Sequence, residues 1–100
     1  MDAKTRLLFW LLNATKGGPT RVKVLRNLNK TPMNIRQLAL SIDMDYKTVQ
    51  AHIGLLMKNE ILDMQGNGYG AIYFVSTEWE DNDYLKKMIG GNKNGKKRKG

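Results

Sequence analysis

The sequence predicts a mainly helical α+β domain closed by one small β-hairpin, and three observations carry that expectation. Apolar residues recur at helical spacing from near the N-terminus to about Asn59. The period then changes to give two β-rich runs, Ile61 to Gln65 and Ala71 to Val75. A glycine-rich link, Gly66-Asn67-Gly68-Tyr69-Gly70, separates the two runs, as a hairpin requires.

The elements follow in order. Residues 2–15 read as a helix that is apolar nearly all round at Leu7, Leu8, Phe9, Trp10, Leu11 and Leu12, and Lys16-Gly17-Gly18 stops it. Pro19 suits the first turn of a second helix with Gly18 as its cap. That helix is expected to run to about Asn29, with Val22, Leu25 and Leu28 inward and Arg21, Lys23, Arg26 and Lys30 outward. Thr31-Pro32 ends it, because proline disfavours helix at the preceding residue. Asn34 caps a third helix, with Gln37 three residues on in capping-box spacing and a buried stripe of Ile35, Leu38, Ala39 and Ile42. Asp43-Met44 forms a short turn. Asp45 caps a fourth helix that reaches about Asn59 and buries Val49, Ile53 and Leu56. After the hairpin, Thr77 to Glu80 repeats the capping-box pattern and opens a short C-terminal helix near 78–89. From Gly90 on the chain is glycine, asparagine and lysine, too polar to fold, and is expected to be disordered.

Composition bounds the function. One hundred residues with 41% hydrophobic content support one modest core, with a thin margin that a dimer interface would widen. The 17 Lys+Arg against 9 Asp+Glu give a formal +8, which favours a polyanionic partner, nucleic acid ahead of an anionic membrane. Lys93, Lys96, Lys97, Arg98 and Lys99 supply five of those charges, leaving +3 on the rest of the chain. The absence of cysteine excludes disulfides, thiolate metal sites and thiol nucleophiles, and fits a reducing cytoplasm. One histidine leaves no ligand set for structural zinc, so neither metal nor cofactor is expected. The longest apolar run, Leu7 to Leu12, is far short of the roughly 20 residues of a spanning helix, and no cleavage site follows it. Nothing pairs a nucleophile with a base or two carboxylates in a pocket; Glu78, Glu80, Asp81 and Asp83 read as an exposed cluster. An enzyme is therefore not expected, nor is a membrane partner.

Helix, helix, tight turn, helix and hairpin in this order make a winged helix-turn-helix, here with an extra N-terminal helix and a short C-terminal one. Two helices meeting across a tight turn hold the second at a steep angle, so its outer face can enter a major groove about 12 Å wide. The hairpin projects beside it as a wing. The stretch NIRQLALSIDMDYKTVQAHIGLLMKNEIL, followed by GNGYGAIYFVS, resembles the archaeal ArsR-like winged-helix regulators. Asp45, Thr48-Val49, His52-Ile53 and Leu56 match that family's pattern, as do Tyr69-Gly70 and Tyr73-Phe74, and GGPTRVKVLRNL resembles its first core helix. The resemblance covers roughly 17–76 and implies sequence-specific binding of double-stranded DNA by a transcription regulator, which the apolar N-terminal helix would make a homodimer. The family often has glycine after the recognition helix, where Asn59 is expected to take the left-handed role here. The wing tip carries no Arg or Lys. Gly54 sits inside the recognition helix, where glycine costs about 1 kcal/mol relative to alanine.

These readings divide the chain into 1–16 (an N-terminal helix for dimerisation), 17–76 (the DNA-binding winged helix), 77–89 (the C-terminal helix) and 90–100 (the basic tail). Tyr46, Lys47 and Gln50 are expected to point away from the core and contact bases, since Gln pairs with adenine and Lys with guanine. Arg36, Thr48 and Asn34 are expected on the phosphate backbone, with Asn67, Gly68 and Tyr69 forming the wing. His52 matches a family position that packs against the hairpin. Leu8, Phe9, Trp10 and Leu12 are the expected dimer contacts, because six consecutive large apolar residues cover every face of a helix that one core can bury on one stripe only. Met33, Met44, Met57 and Met64 read as gap-fillers. The rival function is a protein-docking winged helix in a transcription or replication assembly, whose fourth helix would be more apolar or acidic outside.

Overall fold

A computed structural model of the protein describes residues 2–90. The basic tail expected over 90–100 falls, from residue 91 on, outside the described residues. Helix α1 (Ala3–Phe9) is capped by Asp2, whose carboxylate accepts the Thr5 N–H at 2.8 Å. It runs on into a π-helical turn, Trp10–Ala14. Then come α2 (Gly18–Lys30), α3 (Ile35–Ile42) and α4 (Tyr46–Lys58). Strands β1 (Leu62–Gln65) and β2 (Ile72–Val75) pair antiparallel, with Leu62 opposite Val75 and Gln65 opposite Ile72. Helix α5 (Asp83–Met88) follows. Met33, between α2 and α3, adds a bridge to the hairpin: its N–H donates to the Tyr73 carbonyl at 3.2 Å, and Tyr73 N–H returns the bond at 2.8 Å.

One core unites the elements. Leu8, Leu11 and Leu12 from the N-terminal helix meet Val24, Leu25 and Leu28 of α2, Leu38 of α3 and Val49, Ile53 and Leu56 of α4. Ile61, Leu62, Trp79, Leu85 and Ile89 close it. The buried indole of Trp79 donates from Nε1 to the Glu60 carbonyl at 2.8 Å, which satisfies its one polar group, and Lys4 Nζ lies 4.5 Å over the ring.

Several expectations change here. The C-terminal helix does not start at residue 78. Ser76 caps a single turn at Thr77–Trp79, and Asn82 then accepts the Leu85 N–H at 2.9 Å to start α5. Val22 is only half-buried, and Arg21 and Val24 take the inward positions of α2. The left-handed residue after α4 is Glu60 (φ 61°), while Asn59 stays right-handed and its side-chain amide donates to the Leu55 carbonyl. Met64 is exposed on the hairpin instead of filling the core. Leu8 and Leu12 are buried inside this chain, so they are not free to meet a second one; Phe9 and Trp10 remain exposed, at 42% and 55%.

Candidate nucleic-acid interface

The geometry begins at the turn between α3 and α4. Asn34 and Gln37 form the expected reciprocal capping box at the start of α3. Asp43 takes the left-handed conformation (φ 56°), and Met44 N–H donates back to the Ala39 carbonyl at 3.0 Å. The chain thus reverses within three residues, and Asp45 starts α4. Its carboxylate accepts both the Thr48 N–H, at 3.0 Å, and the Thr48 hydroxyl, at 2.7 Å. The Thr48 bonds hold the Asp45 carboxyl below its ordinary pKa. The Thr48 hydroxyl is therefore already committed to the cap.

Val49, Ile53 and Leu56 anchor the inner side of α4 in the core. A polar clamp holds its flank. Arg21 is only 6% exposed, and the expectation that it faces outward is overturned. Its Nε donates to the Leu11 carbonyl at 2.9 Å, one Nη donates to the Thr15 hydroxyl, and the other lies 3.2 Å from His52 Nδ1. All three partners are neutral acceptors. The Leu11 carbonyl belongs to the end of the N-terminal helix, where the helix dipole favours a cation. Burial lowers the pKa of Arg21, and it lowers that of His52 too, with the Arg21 charge as the second cause. His52 thus packs against α2 and the Gly17 turn. A Cβ on Gly17 would lie 2.9 Å from His52 Cε1, and one on Gly18 would lie 2.4 Å from the Leu12 carbonyl oxygen. The glycine pair does more than stop a helix: it lets α2 close onto the N-terminal helix and α4.

The outer side carries Lys47, Gln50, Ala51, Gly54 and Lys58, all exposed. Tyr46 does not share that face. It is half-buried on the flank, and its ring lies 6.3 Å from that of Tyr69. Tyr69 itself is 85% exposed at the hairpin tip, beside exposed Asn67 and Gly68. Arg36 is exposed on the first turn of α3, and Asn34 is half-buried with its side chain in the capping box. Arg36, Ala39, Leu40, Met44, Tyr46 and Tyr69 line a shallow groove between α3, the start of α4 and the hairpin tip, and Leu40 is 78% exposed there. Among the described residues no cluster of acids and histidine suits a metal, and no helix is long and apolar enough to cross a membrane.

Sequence reading placed Arg21 outward, noted Gly54 only for its cost to the helix, and did not single out Ala51 or Lys58. Arg21 could have been found from its spacing, because it lies on the same helical stripe as Val24, Leu25 and Leu28.

A tight turn into a core-anchored helix with a polar outer face, flanked by a hairpin, defines a winged helix-turn-helix protein. The HVO_A0114 family model matches residues 18–78, and the chain belongs to that family. It is 32% identical over 78 residues to the uncharacterized HTH-type transcriptional regulator MJ0229 of Methanocaldococcus jannaschii, a match covering 71% of this chain and 81% of the relative. Two solved structures share the fold. The transcriptional repressor BigR from Xylella fastidiosa superposes with a TM-score of 0.66 at 15% identity, over 87% of this chain and 78% of BigR. Reduced HlyU from Vibrio cholerae gives 0.64 at 14% identity, over 88% of this chain and 84% of HlyU. The winged-helix regulator class expected from residues 17–76 therefore stands.

Proposed function

We propose that this protein is a cytoplasmic transcription regulator that binds double-stranded DNA as a homodimer, reading base edges with the outer face of α4. The observation that carries this reading is the pairing of an inner side fixed by core and clamp with an outer side presenting Lys47 and Gln50 to solvent. Both side chains can reach base edges without disturbing the core. Arg36 lies where it can bind a phosphate. The hydroxyl of Thr48 and the side chain of Asn34 serve caps first, so their part is to fix the helix starts. Tyr46 acts with Tyr69 at the wing and not as a base reader. The formal +8 adds sequence-independent attraction to the duplex. Regulation, not catalysis, is the role that fits the family and the named relative.

The dimer reading rests on Phe9 and Trp10, exposed beside half-buried Leu7, with the Phe9 ring 6.3 Å from that of Tyr84 on α5. A second copy seated on this face would remove the exposed aromatic surface. Replacing Phe9 and Trp10 with lysine should then give monomers by sedimentation. A wild type that sediments as a monomer at micromolar concentration refutes the dimer.

The base-reading claim is tested on duplexes this protein selects from a randomised pool. Gln50→Ala should cost about 1–3 kcal/mol on the selected duplex and much less on mixed-sequence duplex. Arg36→Ala should weaken both alike, since a phosphate contact carries no sequence information. An unchanged specific-to-nonspecific ratio for Gln50→Ala, with the fold intact, refutes the assignment. The exposed Leu40 and Tyr69 favour a second reading, a protein-docking module; retention of duplex binding by wild type at physiological salt decides against it as the primary role.

A further inference from the structure

Gly54 lies in the interior of α4, right-handed like its neighbours and exposed. A Cβ built there meets nothing within 4 Å. The chain's own packing therefore gives no reason for glycine, in contrast to Gly17 and Gly18, where a Cβ would collide. Alanine at this position would favour the helix by about 1 kcal/mol. What distinguishes the position is its neighbourhood. At 100° per residue Gly54 falls within about 40° of Lys47, Gln50 and Lys58 around the helix. Those two lysines bracket a stretch of helix about 16 Å long, in which Gln50 and the Ala51 methyl lie one turn before Gly54 and nothing rises at Gly54 itself. The outer face thus has long polar side chains at Lys47, Gln50 and Lys58 and a gap down to the backbone at Gly54.

We infer that Gly54 sets the depth at which α4 sits in the major groove: its missing side chain lets the duplex approach the helix backbone, so that Lys47 and Gln50 reach base edges. This rests on the reading of α4 as the DNA-contacting helix and deepens it. The partner is duplex DNA, because the flanking groups are two lysines and a glutamine, which complement phosphates and base edges. Gly54 acts here as a specificity-determining position through close approach, making no polar contact of its own.

The test uses the full chain, thermal melting, and binding to duplexes the wild type selects from a randomised pool. Gly54→Ala should raise the melting temperature while weakening the selected duplex about tenfold. Gly54→Gln, with a long side chain in the contact, should lose sequence discrimination. A merely structural glycine would move stability and affinity in the same direction, so the opposed signs carry the inference. If both variants bind the selected duplex as wild type does while Gln50→Ala is weakened, the role of Gly54 is overturned and the reading face of α4 stands. If wild type selects no duplex, both fall.

Discussion

On its inner side α4 sets Val49, Ile53 and Leu56 against the core and His52 against the buried guanidinium of Arg21. On its outer side Lys47, Gln50, Ala51, Gly54 and Lys58 face away from the chain. The contrast is one of constraint. Inward, the side chains are held by the core or by Arg21, so substitution there costs stability. Outward, the chain itself imposes little, so under the proposed function the residues there answer to the duplex. A helix that must present side chains at fixed positions in a groove needs both: the reader is accurate only as far as its back is held. The clamp extends this hold beyond the core, because Arg21 joins α4 to the Leu11 carbonyl and Thr15 at the end of the N-terminal helix. Under the proposed dimer, the same arginine connects the N-terminal helix that would pair two copies to α4.

The sharpest way to break the comparison is at Arg21. Arg21→Met removes the guanidinium and leaves Thr15 and His52 without a donor in a part-buried site. The loss should be about 1–3 kcal/mol, the penalty for stranding buried polar groups. In a domain of this size each kcal/mol lowers the melting temperature by roughly 4–8 °C. Gln50→Ala on the outer side should stay within about 0.5 kcal/mol of wild type. Thermal melts of the two variants side by side settle the point. Equal shifts would mean that the two sides of α4 are not differently constrained.

The periodic parts of this architecture were legible in the sequence. The stripes of α3 and α4, the caps at Asn34 and Asp45 and the hairpin runs came directly from spacing and cap chemistry. Polar burial was missed where charge was allowed to outweigh spacing. Arg21 was placed outside by its charge, yet its burial depends on a carbonyl ten residues earlier, that of Leu11 in the last turn of the N-terminal helix. Tyr46 was grouped with Lys47 and Gln50 as facing away from Val49, Ile53 and Leu56, whereas it is half-buried on the flank, where Tyr69 meets it. The Thr48 hydroxyl was offered to a phosphate because its bond to the Asp45 carboxylate depends on a rotamer. Glu60 was passed over in favour of Asn59 on propensity, although the chain must turn back so that Ile61 N–H can reach the Leu56 carbonyl at 2.9 Å.

A smaller effect sharpens the comparison through pH. His52 accepts from Arg21 at Nδ1 only while that nitrogen is unprotonated. Burial first, and the Arg21 charge second, hold its pKa below the ordinary 6.5. The unfolded chain therefore binds a proton at this position before the folded chain does. The stability His52 contributes is complete above the unfolded value, and it declines as pH falls below about 6.5 and on through the folded pKa. His52→Asn places a carbonyl oxygen near Nδ1 that can still accept from Arg21 and does not titrate. Melting temperatures taken across mildly acidic to neutral pH should fall with pH for wild type and stay flatter for His52→Asn, while the outer-side variant Gln50→Ala should follow wild type throughout. Parallel curves for wild type and His52→Asn would show that the histidine does not report on the clamp. The hold on the back of α4 would then rest on the core and the other two Arg21 bonds alone.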